Sequence, residues 1–484
     1  MRSSRFRMLA GLAAVLLMGA AAGCAAQPRA QAYNDLKLAE NAPYRFHDQD
    51  FTRQDQPELA DGATLDDYLV YAALNNPGLE AAFDRWRAAL NKVPQATALP
   101  DPQLTYGYYL QRDEANPVTD RLGLWQMFPW FGKLDAAGRM ALAEAEAERQ
   151  RLEAQRLKLF RDVRKNYYEY YYLAREVDVV RENVKQVTDL ENLARASFEA
   201  GKVPYSDVLK AQVELGELQN RLVSAQDVLG PTIAKLNASM NRPAEAPLPA
   251  PVKIAEGNAT LSEERLKAML RENSPELKAV DAMASRETAA VRLARKSFYP
   301  DVSIGGDYMR QSDPGMPNPF AAMVMLNLPI WRGKYKAGVN EATLNYHAAL
   351  RERHDLENNL IADLQMSLYS FRDAERKMRL YQGTLVPKAR QAVKVSEQAL
   401  QAGNADFLDV IDAQRTLLEF ELAGERALAD RAQALAEIEM LVGEAIPREK
   451  PTESIEIQDK STTDNPVREP SMSTVAPVEK GTDK

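Results

Sequence analysis

Residues 200–217 read Ala-Gly-Lys-Val-Pro-Tyr-Ser-Asp-Val-Leu-Lys-Ala-Gln-Val-Glu-Leu-Gly-Glu, and residues 402–419 read Ala-Gly-Asn-Ala-Asp-Phe-Leu-Asp-Val-Ile-Asp-Ala-Gln-Arg-Thr-Leu-Leu-Glu. At a fixed offset of 202, eight positions are identical: Ala200/Ala402, Gly201/Gly403, Asp207/Asp409, Val208/Val410, Ala211/Ala413, Gln212/Gln414, Leu215/Leu417 and Glu217/Glu419. In both copies a long helical pattern stops at a glycine, turns, and restarts with an acidic residue in the first turn. Glycine supplies the left-handed stop, and Ser, Thr or Asp satisfies the orphan N–H groups of the next helix. The chain is therefore a tandem duplication with two helix–turn–helix tips.

Working outward from the tips, each half repeats the same order. Helical patterns flank Asn75-Asn76-Pro77-Gly78 in the first half and Asn273-Ser274-Pro275 in the second. Pro100-Asp101 and Pro300-Asp301 then open strand patterns. Leu104, Tyr106, Tyr108 and Leu110 alternate with polar or small residues, as do Val302, Ile304 and Tyr308. A second strand follows in each half, Leu122 to Phe128 and Ala322 to Leu328, and both end at a proline, aromatic residues and Gly-Lys (Gly132-Lys133; Gly333-Lys334). From Leu134 to Glu199 there is no proline and one glycine, so the pattern predicts a rod of about 100 Å. Its counterpart runs from Tyr335 to Gln401 with a break expected near Gly383 to Pro387. The return helices are expected over about Tyr205 to Asn241 and Phe407 to Gly443. Rods this long with mixed charged faces pack as coiled coils or bundles.

Period-2 strands with aromatics near their ends fit membrane strands, and they fit equally a soluble hairpin laid on helices. Geometry constrains the first reading. A strand in lipid cannot leave an open edge, and four strands cannot close a barrel by themselves. Two copies would give eight strands, three twelve and four sixteen.

Composition narrows the function. The 484 residues contain one Cys and three His (His47, His347, His354), which argues against a disulfide framework or a Cys/His metal site. His347 and His354 share a helix face without further ligands. The formal net charge of −8, or −11 without the three leader arginines, argues against a nucleic-acid partner. No nucleophile–base–orienter set and no phosphate loop appears, so nothing supports an enzyme or a cofactor. The run Tyr167 to Tyr172 reads as packing between helices, and Met316, Met323 and Met325 as strand and loop residues.

Arg2, Arg5 and Arg7 precede an apolar run, Met8 to Ala22, that ends in Ala21-Ala22-Gly23-Cys24. This is a secretory signal over residues 1–23. The chain's single Cys follows the small residues directly, which reads as a lipobox with Cys24 as the lipidated first mature residue. Ala25 rather than Asp after it implies sorting to the outer membrane. The remaining organisation is a lipidated, aperiodic N-terminal arm over 24–60, repeat 1 over 61–250, repeat 2 over 251–447 and a disordered polar tail over 448–484.

Two repeats of helix pair, strand hairpin and long helix pair, carrying the doubled tip pattern, resemble the TolC-type outer-membrane factors. The Cys24 leader and Phe128-Pro129-Trp130-Phe131-Gly132-Lys133 resemble the heavy-metal-efflux branch in particular. The resemblance covers about residues 61–446. It implies a mainly α chain with membrane β: a homotrimer with a twelve-stranded barrel in the outer membrane above a long α-helical barrel crossing the periplasm. It further implies a passive duct that works with a periplasmic adaptor and an inner-membrane pump. Carried over by position, Asp409 and Asp412 match an acidic pair lining the periplasmic entrance, and Asp207 an acidic latch of the other tip. Lys210 stands where the second copy has Asp412, so the tips differ in charge. Gly201 and Gly403 mark the tips where the adaptor would dock. Beside these roles stand plainer ones: Asp207 and Asp409 as first-turn carboxylates favoured by the helix dipole, and Arg415 as a surface partner for Asp412 at i+3. A protein-secretion exit duct and a non-pore coiled-coil lipoprotein are the competing functions, and a tether has no use for four aromatic-edged strands.

Lipidation at Cys24 is expected. Metabolic labelling with a palmitate analogue should tag the wild type and not Cys24→Ser, and labelling that survives the substitution contradicts it.

Overall fold

A computed structural model describes residues 27–40, 44–46, 49–51, 56–110, 118–251, 254, 262–312, 315 and 317–447. Cys24, the signal segment and the expected polar tail lie outside the described residues.

The described residues open with helix α1 (Gln27–Glu40) and a short hairpin, β1 (Tyr44–Phe46) and β2 (Gln49–Phe51), where the sequence predicts an aperiodic arm. The reason for the departure is tertiary. Arg87 Nε donates to Glu40 Oε1 at 2.8 Å, and Tyr33 and Leu36 pack against the cluster around buried Trp86. Long-range burial thus orders a segment whose own periodicity is weak.

Repeat 1 follows as α2 (Leu65–Asn75), α3 (Pro77–Thr97), β3 (Gln103–Tyr108), β4 (Val118–Phe128), α4 (Lys133–Glu199) and α5 (Tyr205–Ser239). Repeat 2 is α6 (Glu263–Asn273), α7 (Pro275–Lys296), β5 (Val302–Gln311), β6 (Phe320–Leu326), α8 (Arg332–Leu380), α9 (Val386–Gln401) and α10 (Phe407–Val442). Local chemistry sets these boundaries. Thr64 and Asp67 form a capping box at α2. Asn76 caps α3 through the Leu79 N–H at 3.0 Å, with Pro77 in the first turn. The expected break near Gly383 is a single π turn, Tyr381–Leu385, between α8 and α9, and Pro387 falls at the start of α9. Pro387 has no N–H to give the preceding turn, and the π turn, where Val386 N–H reaches back to Tyr381 O, takes up that loss, so the rod is re-phased rather than ended.

The described parts of both repeats share one compact unit that reaches Ile446. Helix α4 is its spine, lying against α3, α5, α7 and α10. Tyr68, Leu69, Val163, Leu236 and Met240 build the largest buried cluster, and Tyr68 meets Tyr167 edge-on at 5.2 Å. The tyrosine run is packing: Tyr167, Tyr168, Tyr170 and Tyr171 are all buried. Ion pairs stitch repeat 1 to repeat 2 along α4 and α10, with Arg161 Nη1 on Glu437 at 2.8 Å and Arg426 Nη1 on Glu169 at 2.8 Å.

The four long strands form one antiparallel sheet in the order β3-β4-β5-β6. Its seam is the β4–β5 pair, where repeat 1 meets repeat 2, in the register Phe128↔Val302 to Leu122↔Tyr308. The two seam strands are 11 and 10 residues long, the length that crosses a bilayer when tilted. The edge strands β3 and β6 are shorter, 6 and 7 residues, each with a ladder partner on one side only.

The sheet's faces differ in chemistry. Leu104, Tyr106, Leu122, Leu124, Ile304, Val324 and Leu326 share one face by register and stand exposed, Leu104 at 70% and Val324 at 68%. On the other face Asp307 is fully buried and paired with Arg121, over Gly123, where a Cβ would stand 2.2 Å from Asp307 Oδ1. Trp125 covers Gly305 in the same way: a Cβ there would lie 2.5 Å from Trp125 Cδ2 and 2.6 Å from the Leu124 carbonyl oxygen. Since the second contact is backbone, a side chain cannot be accommodated by a rotamer change. Gly305→Ala is therefore expected to destabilise the sheet by about 1–3 kcal/mol, read as a lowered denaturant midpoint by tryptophan fluorescence. An unchanged midpoint would contradict this packing.

Candidate functional site at the helical tips

Both tips close in the same way. Gly201 has φ +68° and Gly403 φ +71°. Each follows a long helix whose final carbonyls are taken up by the turn: Lys202 N donates to Ser197 O at 2.9 Å, and Asn404 N to Ala399 O at 2.8 Å. A Cβ at either glycine would meet nothing within 4 Å, so backbone conformation alone demands glycine there.

The restarts differ. At the second tip Asp406 and Asp409 form a reciprocal capping box, Asp409 N to Asp406 Oδ1 at 3.0 Å and Asp406 N to Asp409 Oδ2 at 3.1 Å. Asp409 is thus a capping residue as well as a first-turn carboxylate, and its carboxylate is still exposed. At the first tip Pro204 stands at the cap without a side-chain acceptor. Asp207 is buried, with Ser206 Oγ donating to it at 3.3 Å and Lys210 Nζ at 3.7 Å. Tip 1 consequently balances its carboxylate internally, while tip 2 displays Asp406, Asp409 and Asp412.

Asp412 is exposed. Arg415, a candidate surface partner at i+3, turns instead to Glu214 on α5, with Glu217 at 4.0 Å. Glu214 is the better partner because it is buried, and an unpaired carboxylate costs more there than at the surface. Among the described residues no hydrogen bond or ion pair holds the Asp412 carboxylate.

One apolar cluster locks the two tips together: Leu190, Ala194, Val208, Ala211, Phe407, Val410 and Ile411. The repeat pair Tyr205/Phe407 has split its roles. Phe407 is 2% exposed inside the cluster, whereas Tyr205 is 53% exposed and leans on Phe198. Beneath the cluster, Arg195 Nη2 reaches Glu191 at 2.6 Å and Gln212 Nε2 donates to it at 3.0 Å, holding its carboxyl below the usual carboxylate range. In the sequence-based site Arg415 figures only as a surface partner for Asp412, and Glu214 and Glu191 are absent. The signal for Arg415 and Glu214 was a departure between the copies, Val213/Arg415 and Glu214/Thr416, where charges of opposite sign appear on facing helices.

Above the tips a groove of about 1200 Å³ lies between α4, α9 and α10, with Asp178, Glu182, Asn183, Arg390, Lys394 and Glu421 among its walls. Among the described residues no three His, Cys, Asp or Glu side chains cluster closely enough to hold a metal ion, and no helix is long and apolar enough to cross a membrane.

The comparisons agree with this geometry. The family model described as "Outer membrane efflux protein" matches residues 69–242 and 266–444. The cobalt-zinc-cadmium resistance protein CzcC of Cupriavidus metallidurans is 26% identical over 404 residues, covering 80% of this chain and 91% of that relative. The toluene efflux pump outer membrane protein TtgF of Pseudomonas putida is 24% identical over 440 residues, covering 84% and 88%. Among solved structures, a membrane protein from Pseudomonas aeruginosa superposes with a TM-score of 0.70 at 18% identity, covering 82% of this chain and 94% of that one. CusC superposes with a TM-score of 0.68 at 15% identity, covering 82% and 99%. With its repeated tips, its four-stranded sheet and a family match across both halves, the chain belongs to the outer membrane efflux protein family.

Proposed function

We propose that this chain is the outer-membrane duct of a tripartite efflux assembly. Three copies close a twelve-stranded barrel in the lipid, and their helices continue as a channel into the periplasm. The observation that carries the reading is the sheet: four strands, an apolar exposed face, two open edges, and a buried ion pair on the opposite face. In water that exposed face would be a liability. In hydrocarbon it is the lipid surface, and the open edges then require neighbours. Exposed apolar residues on the long helices point the same way. Leu209, Val213, Val223 and Val228 of α5, and Met366, Tyr369 and Leu380 of α8, are unburied in the single chain.

The duct does no chemistry in this reading. A periplasmic adaptor docks at the tips turned by Gly201 and Gly403 and joins the duct to an inner-membrane pump. The lipid on Cys24 adds an anchor beside the barrel. Relatives named for metal resistance and for toluene efflux share the chain's architecture, so cargo choice falls to the pump, with small solutes as the class.

The gate is the second tip. Asp409 and Asp412 from three copies bring six carboxylates to the entrance, and among the described residues no hydrogen bond or ion pair holds the Asp412 carboxylate. Asp207, buried and held by Lys210 of its own helix, stands apart from that ring as the latch of the first tip. Such a ring concentrates cations and binds multivalent ones.

Single-channel recording tests the gate. Asp409→Asn with Asp412→Asn preserves a cap acceptor and removes the charge. Cation preference should fall, and block by a trivalent cation added from the periplasmic side should weaken about tenfold or more. Selectivity and block equal to wild type would place the gate elsewhere.

A further inference from the structure

Inside the chain, the elbow that follows β4 is clamped by the start of β5. Asp301 Oδ1 accepts from the Trp130 N–H at 2.8 Å and from Lys133 Nζ at 2.7 Å. Lys133 Nζ also reaches the Tyr299 carbonyl oxygen at 3.2 Å, and the Trp130 ring lies flat on Tyr299 at 5.3 Å and 7°. Both charges are mostly withdrawn from solvent, at 16% and 18% exposure. This clamp fastens the last strand of repeat 1 to the first strand of repeat 2.

The duplication says where a second such clamp belongs. The hairpins correspond at an offset of 200, Leu104 facing Leu124 in one and Ile304 facing Val324 in the other. The elbows correspond too. Lys133 N donates to Trp130 O and Lys334 N to Trp331 O, each at 3.0 Å, with Ile330 the one inserted residue before the turn. Yet among the described residues the second elbow has no clamp in its own chain. Trp331 and Lys334 are exposed, and among the described residues Lys334 meets no carboxylate. The counterpart of Asp301 is Asp101, at the start of β3 on the opposite edge of the sheet. Its carboxylate is exposed and, among the described residues, makes no hydrogen bond or ion pair.

We propose that a second copy of this chain completes the elbow: Asp101 of one copy binds Lys334 and the Trp331 N–H of its neighbour. The Trp331 ring then covers Leu99, the half-exposed residue that stands where Tyr299 stands in the internal clamp. The inference rests on the closure reading above and gives it a register. The internal seam pairs Gln126 with Ile304 and Leu124 with Gly306. Shifted by the repeat offset, Leu326 of one copy faces Leu104 of the next, and Val324 faces Tyr106. All four are apolar and exposed in the single chain. Complementary charge and matching apolar strands thus select a copy of the same chain as the occupant of each edge.

The test uses the full chain in detergent. Asp101→Lys and Lys334→Asp, made singly, place like charges across the seam and should lower the temperature at which the oligomer dissociates on a heated gel by several degrees. The double exchange should restore it, because within one copy the two residues sit at opposite edges and cannot pair. In a Cys24→Ser background, Leu104→Cys with Leu326→Cys should oxidise to covalent oligomers. Leu104→Cys with Val324→Cys, a two-residue slip, should not. A wild type that is monomeric throughout overturns the closure reading itself. An intact oligomer overturns the clamp alone if the single exchanges leave it as stable as wild type, if the double exchange fails to rescue, or if the slipped pair is the one that cross-links.

Discussion

An antiparallel sheet in hydrocarbon cannot end. Every unpaired N–H and C=O along an edge strand costs several kcal/mol where no water can reach it. The sheet in this chain has two such edges, β3 and β6, and an apolar face turned outward. That constraint organises the remainder. It makes the chain a part rather than a whole, and places the two halves of the duplication at corresponding positions around a ring. It also accords with the exposed apolar residues along α5 and α8. The buried Arg121–Asp307 pair lies on the opposite face, while on the apolar face the Arg310–Asp120 pair is confined to one end of the β4–β5 seam.

Duplication supplied the architecture, and divergence between the copies made the two tips chemically unequal. Two equal tips would present the entrance with equal charge. Here Lys210 offsets Asp207 in one, while Asp412 takes the place of Lys210 in the other and stands exposed, with no ion pair among the described residues. Arg415 and Glu214 show a second divergence: facing positions that took opposite charges and now tie α10 to α5. Phe407 and Tyr205 show a third, one buried as an anchor and the other left at the surface.

The repeat, the two tips, the four strands and the long rods were legible in the sequence because each rests on local rules: glycine at positive φ, proline at helix starts, period-2 alternation, and helix formers without breakers. Strand and helix ends shifted by a few residues, as with β4, which begins at Val118 rather than Leu122. What escaped depends on contacts distant in sequence. Helix α1 owes its order to Trp86 and Arg87, and the Arg415 ion pair spans 201 residues. The π turn at Tyr381 was visible as a disturbance but not as a form, since Gly383 and Pro387 suit a break equally well. At the candidate gate, sequence located Asp207, Asp409 and Asp412. Burial and the Lys210 ion pair separate the first from the other two.

The count of chains in the closed ring is the most direct measure of this account. Mass determination of the detergent-solubilised protein should give three chains per particle, the number that turns four strands into twelve. A monodisperse monomer that still conducts ions in a planar bilayer would contradict it, because four strands cannot close a barrel.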